Sequence, residues 1–261
     1  MTIRFGVCAP LQMLEVAACA PFDFVEAPLT EAAQMEDARF LEFARRADDI
    51  PLRCEVFSNM LPEKLRVAGP DVSARALHEY LALAFDRAKR LGAEVILLDG
   101  GLSRSAPASF DMGQAWRQME NFLRIVQGHA RQSGVRVAVC PLRRAETNLL
   151  NYVSEAMLIT SLIRMDCLGV AADTYQMAMV SEPLAALCLA GSSLLHVRAA
   201  NAMGNRLPRR GDGENYLSLF QTLKAAGYAG RVSCAGRYDH FAKEAAAALD
   251  VLRAAQAEAE I

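Results

Sequence analysis

The sequence predicts a single (β/α)8 barrel spanning residues 1–261, and three observations lead there. Short apolar, β-branched runs of strand length alternate with longer amphipathic stretches from one end of the chain to the other. Eight such runs each precede a helical or short connecting stretch, the pattern of parallel strands joined by right-handed crossovers. No linker-like or low-complexity segment interrupts them, and 261 residues that are 53% hydrophobic suffice for one large core. An open doubly wound sheet is the main rival. It expects a glycine fingerprint after the first strand, where Cys8-Ala9-Pro10-Leu11-Gln12 stands instead.

In chain order, the strand candidates are Ile3–Val7, Phe22–Glu26, Leu52–Val56, Glu94–Leu98, Arg136–Cys140, Leu168–Ala172, Leu194–Arg198 and Arg231–Cys234. Ser73 can cap a helix over Ala74–Arg90, whose Leu77, Leu81, Ala84, Phe85 and Ala88 form one apolar face; Gly92 supplies the stop. Asp111 can start the next helix, where Trp116, Met119 and Phe122 read as packing onto the barrel, and Gly134 ends it. Asn151 or Ser154 opens another, Asn215–Ala226 ends at Gly227, and Phe241–Gln256 is an alanine-rich amphipathic helix. The least regular connections follow the fourth strand (Asp99–Phe110) and the seventh (Ala199–Asn215). Both would sit on the catalytic face of a barrel.

Bulk properties exclude several functions. A formal charge of -2 offers no electrostatic reason for a nucleic-acid or anionic-membrane partner. No apolar run reaches the roughly 18 residues of a membrane span. The chain enters a strand-like segment at once, with no signal-peptide h-region. Its seven cysteines form no CxxC pair and suit reduced thiols. A cytoplasmic globular protein is expected, with homo-oligomerisation left open.

The stretch richest in chemistry is Arg136-Val137-Ala138-Val139-Cys140-Pro141-Leu142-Arg143-Arg144-Ala145-Glu146-Thr147-Asn148. Pro141 stops an apolar strand, and two arginines, a carboxylate and an amide follow it. A buried strand ending in clustered polar groups is how a barrel enzyme presents its chemistry. This stretch resembles the fifth strand of the xylose-isomerase-like sugar isomerase and epimerase family, which also has an endonuclease type IV branch. The resemblance continues in Phe24-Val25-Glu26-Ala27-Pro28-Leu29, Val67-Ala68-Gly69-Pro70-Asp71-Val72, Ala172-Asp173-Thr174-Tyr175-Gln176-Met177, His196-Val197-Arg198 and Pro208-Arg209-Arg210-Gly211-Asp212-Gly213.

The resemblance implies a proton transfer beside a sugar carbonyl, with a divalent cation held by four ligands on four strands. Carried over by position, the first ligand, a glutamate, is Cys140 here, and the aspartate of Asp-x-x-His is retained as Asp173 while its histidine is Gln176. The second histidine of His-x-His is Arg198, and the closing glutamate falls on Ala235. With one ligand of four kept, neither a metal nor another cofactor is expected. The resemblance also makes Glu146 a substrate-contacting carboxylate.

Two functions follow. In one, the chain is a metal-independent sugar or sugar-phosphate isomerase or epimerase, with Glu146, Asp173 and Cys140 catalytic. Arg198, Asn148, Gln176, Arg206, Arg209 and His196 would then bind substrate. In the other, it is a carbohydrate binder or scaffold that has lost turnover. Arg198 can stand where the metal stood, since an ion pair with Asp173 about 4 Å apart is worth about 4 kcal/mol before desolvation; equally, these positions can have drifted to a neutral mouth. Cys140 reads either as a thiolate nucleophile or as a packed thiol, and His196 either as a base or as a hydrogen-bonded core histidine. With Arg143, Arg144 and Arg210, the loop arginines form a cationic rim suited to a sugar, a sugar phosphate or a sugar acid.

Overall fold

The computed structural model describes residues 3–163 and 166–261. Eight parallel strands close into a barrel in the order β1 to β8. Strand β1 (Arg4–Cys8) leads to the short α1 (Leu14–Ala17), and β2 (Phe24–Pro28) to α2 (Leu29–Gln34) and α3 (Asp37–Asp48). After β3 (Cys54–Ser58) comes α4 (Ala74–Arg90). After β4 (Val95–Leu98) come α5 (Gly101–Arg104) and α6 (Met112–Ser133). Strand β5 (Arg136–Val139) feeds α7 (Val153–Ile163), and β6 (Leu168–Asp173) feeds α8 (Thr174–Met179) and α9 (Ala186–Ala190). The circuit ends with β7 (Leu194–Ala199), α10 (Tyr216–Ala225), β8 (Arg231–Cys234) and α11 (Phe241–Ala259). Among the described residues, no helix is long and apolar enough to cross a membrane.

The expected helix starts at Ser73, Asp111 and Asn215 are side-chain caps, whereas α7 starts at Val153 and Asn151 turns its side-chain amide to the Leu142 and Thr147 carbonyls (2.7 and 2.9 Å). Ser73 accepts from the Ala76 amide, Asp111 from that of Gln114, and Asn215 from that of Ser218. Gly134 ends α6 in the left-handed conformation. Strands β2 and β3 begin two residues later than expected. Phe22 and Leu52 are buried, but they pack below the ladder without joining it.

Alternation along each strand sorts the side chains into an interior and an exterior. The exterior set packs against the helices and makes the main core. Phe24, Val56, Val95, Leu97, Ala138, Cys140 and Ala171 fill the barrel. Two residues further along the strands, the inward positions turn polar: Glu26 on β2, Asp99 just past β4, Asp173 on β6, and Arg198 on β7 above His196. At the opposite end, Arg231 donates to Glu55 (2.7 Å) and to Glu94, and Arg4 donates to the same Glu55 (2.7 Å).

Phe24 supports the polar layer from below, with its ring edge-on to His196 at 6.2 Å. It lies there because Gly6, beside it on β1, has no side chain; a Cβ at that position would stand 2.3 Å from the Phe24 ring. Gly6→Ala should therefore destabilise the chain by about 1–3 kcal/mol through overpacking, read as a lower urea midpoint. An unchanged midpoint would show that the ring relaxes freely.

Candidate functional site

The mouth is organised by Arg198. Its Nε donates to Glu26 Oε1 (2.6 Å) and its Nη2 to Asp99 Oδ2 (2.7 Å), while Nη1 stands 3.7 Å from Asp173 Oδ2. Sequence reasoning gives Arg198 the single partner Asp173. The structure corrects this: Glu26 and Asp99 make the direct hydrogen bonds, and Asp173 is the most distant of three carboxylates. Nη1 is left with no direct hydrogen bond to a described residue.

Each carboxylate is held a second time. Glu26 Oε2 lies 2.7 Å from His196 Nε2, which is also 3.2 Å from Ser233 Oγ, and His196 is completely buried. Asp99 Oδ1 accepts the Asn59 amide at 2.6 Å, and Asn59 is in the left-handed conformation (φ 48°). Asp173 Oδ1 accepts from Tyr175 (2.9 Å) and Gln176 (3.2 Å), so one side chain caps α8 and faces Arg198 at once.

Burial alone would raise the Glu26 carboxyl, but Arg198 and His196 hold it well below the usual carboxylate range. Burial pushes Asp173 up against the pull of Arg198. Arg198 loses hydration, yet Glu26 and Asp99 raise it well above its ordinary value, so it is a fixed cation. Cys140 is completely buried, and burial pushes its thiol far up despite Arg198 nearby. That environment suits the packed-thiol reading.

Glu146 is half-buried at the edge of the network. It accepts from Arg143 Nε (2.7 Å) and from Gln176 Nε2 (3.3 Å), and the Gln176 backbone amide in turn meets Asp173. A polar chain thus runs from Glu146 through Gln176 and Asp173 to Arg198, and on through Glu26 to His196. Asn148 lies outside it, its amide exchanging two hydrogen bonds with the Ala106 backbone (2.9 and 3.0 Å). The rim arginines are partly neutralised: Arg206 pairs with Asp239 and lies 3.7 Å from Glu244, and Arg143 is bound by Glu146. Arg209 and Arg210 are exposed. Sequence reasoning misses Arg104, a fully buried guanidinium that donates to the Leu98 carbonyl (2.9 Å) and the Cys140 carbonyl (2.8 Å) and ties β4 to β5. Its only signal is an arginine in the glycine-rich turn after Leu98.

A cleft of about 800 Å³ opens beside this network, with Thr30, Gln34, Asn59, Lys64, Asp99 and Glu146 in its lining. Among the described residues, no group of three or more His, Cys, Asp or Glu side chains is arranged to hold a metal ion. The point on which Glu26, Asp99 and Asp173 converge is filled by the Arg198 guanidinium.

A model of the xylose isomerase-like TIM barrel family matches residues 14–255. No curated protein matches the chain. Among solved structures, D-psicose 3-epimerase in the presence of D-fructose superposes with a TM-score of 0.85 at 17% identity, covering 97% of this chain and 99% of that one. The E. coli 3-keto-D-glucoside 4-epimerase YcjR gives 0.80 at 16% identity over 97% and 100%. An AP endonuclease of family 2 from Brucella melitensis gives 0.77 at 19% identity over 93% and 96%. At these identities the likeness is one of fold.

The network predicts an order of effects. Glu26→Ala leaves His196 and Arg198 buried without their shared partner and should cost about 3–5 kcal/mol. Asp173→Ala leaves both direct partners of Arg198 in place and should cost much less. Glu26 is depressed, so its contribution is full above its ordinary value of 4.5 and is lost as pH falls toward its lower folded value. Asp173 is raised and acts in the opposite sense, favouring the fold below its ordinary 3.8 and losing that contribution as pH rises through its folded value. Urea titrations from pH 7 down to 3 should show the wild type losing more stability below pH 4.5 than Glu26→Gln. Parallel curves would place the acid sensitivity elsewhere.

Proposed function

The chain belongs to the xylose isomerase-like TIM barrel family, and from that membership and the mouth of the barrel we propose a metal-independent sugar isomerase or epimerase. The observation that carries the reading is Arg198, a fixed cation among three carboxylates that keeps Nη1 free toward Asp173. The donor set does not fit a metal of the family's type, since a guanidinium takes the place where carboxylates would share a dication. Two solved structures of the same fold are named as sugar epimerases, which supports a carbohydrate ligand.

In this reading a sugar carbonyl oxygen sits on Arg198 Nη1, and Glu146 removes the proton from the adjacent carbon. The C–H electron pair becomes a C=C bond and the carbonyl π pair moves to its oxygen, giving an enediolate whose charge Arg198 stabilises. An isomer forms when Glu146 returns the proton to the neighbouring carbon and the hydroxyl proton passes between the two oxygens; an epimer forms when water delivers a proton to the opposite face of the first carbon and Glu146 releases its own to solvent. Asp173 keeps Arg198 oriented from 3.7 Å, where its carboxylate can relay a proton between enediolate oxygens. Gln176 aligns Glu146, Cys140 packs beneath the site, and Arg206 and Arg209 face substituents at the rim. Because Glu146 and Asp239 bind rim arginines, a DNA ligand is disfavoured. Seven free cysteines support a cytoplasmic location.

One observation favours the binder reading. Arg143 and Gln176 already bind the Glu146 carboxylate, which would have to leave these partners to reach a substrate C–H. Solvent-deuterium exchange into ketoses, sugar phosphates and sugar acids decides between the two. An enzyme should exchange a carbon-bound hydrogen in at least one sugar, and Glu146→Gln should slow this by about a hundred- to ten-thousand-fold with little change in affinity. Arg198→Met should damage both. Binding without exchange supports the binder, and exchange insensitive to Glu146→Gln removes the role given to that residue.

A further inference from the structure

We infer that the ligand of this site is larger than one sugar ring: a glycoside or short oligosaccharide whose reacting unit lies beside Asp99 and Glu146 while its second unit crosses α2 into a neighbouring cleft. The inference rests on the carbohydrate reading above and names the substrate class of that same site.

The cleft at the mouth shares Thr30 and Gln34 with a second cleft of about 720 Å³. These two residues lie one turn apart on α2, so they share one helix face and border both openings. The far cleft lies between the connection after β1 and helix α3, with Gln12, Phe43 and Arg39 in its lining. Each cleft falls within the about 300–1,000 Å³ typical of small-molecule sites, and a single pyranose ring fills only part of one.

The chemistry of the far cleft suits neutral hydroxyls. Its charges are balanced or held: Glu15 pairs with Arg46 at 2.7 Å, Glu31 accepts the Leu11 amide at 2.8 Å, and the exposed Arg39 and Glu42 are of opposite sign. The side chains of Gln12, Thr30 and Gln34 hydrogen-bond no described residue, leaving amide and hydroxyl groups turned to solvent along the path. Half-buried Phe43 adds an apolar surface for the C–H face of a ring. An apolar occupant would strip water from these polar groups and return nothing.

The ridge between the clefts is also fixed. A six-residue helix does not hold itself in water. Here Arg87 of α4, only 3% exposed, donates to the Ala32 (2.8 Å), Ala33 (3.4 Å) and Met35 carbonyls, pairs with Asp37 and stacks on Phe40 at 4.6 Å. The guanidinium thus satisfies the carbonyls at the C-terminal end of α2. A rigid, polar, unpartnered ridge joining two clefts is a pre-formed path for an extended ligand.

The test is calorimetric titration of the full chain with D-fructose and with lactulose, maltulose and isomaltulose, each a hexose linked to a fructose unit. At least one disaccharide should bind about tenfold more tightly than fructose, the yield of one or two hydrogen bonds. Arg39→Trp, an exposed position lining only the far cleft, should remove that advantage and leave fructose affinity within about twofold. Gln12→Ala should lower disaccharide affinity in the same sense. Equal affinities for fructose and the disaccharides, unmoved by either variant, would overturn the inference while the monosaccharide site stood. Failure of all four sugars to bind would count against the carbohydrate reading as well.

Discussion

A guanidinium enclosed by three carboxylates is the constraint on which the mouth of this barrel depends. Removing one ion from water costs several kcal/mol even after relaxation, and excellent geometry is needed to offset it. Arg198 has that geometry on two sides, through Glu26 and Asp99. Glu26 is committed again to His196, and Asp99 to the backbone of Asn59. Each member therefore holds its position through a neighbour on another strand. Such a network is rigid when complete and costly when broken.

Much of the fold is legible because it follows from local chemistry. Ser73, Asp111 and Asn215 cap helices because a short oxygen-bearing side chain satisfies an orphan amide nearby in sequence. Periodicity places the strands, and it errs at Phe22 and Leu52 because an apolar residue below a barrel is buried whether or not it joins the ladder. The site is less legible. Asp173 and Arg198 sit on adjacent strands in direct register, so their meeting can be read from spacing. Glu26 lies 172 positions from Arg198, and Asp99 lies 99, and only closure of the barrel brings them across its mouth.

The rim shows a related limit. A run of arginines reads as a cationic collar when acids are counted only where they neighbour it in sequence. Asp239 and Glu244 come from the turn before α11 and its first residues, and they neutralise Arg206 across the gap between β7 and β8. Packing of the strands places such groups, while the chemistry at strand ends varies independently on the same scaffold. That independence allows an arginine to stand among carboxylates without disturbing the barrel beneath.

The opposite end of the barrel bears on how the chain is made. Arg231 of β8 reaches Glu55 of β3 and Glu94, and Arg4 of β1 shares Glu55. One carboxylate from the first quarter of the chain thus waits for a guanidinium supplied near its end. During synthesis the early strands emerge with Glu55 matched only by Arg4, and the bottom of the barrel locks when β8 leaves the ribosome. Closure is then a late, long-range event whose loop entropy is large. The nascent chain carries an open sheet edge until almost the last helix is added.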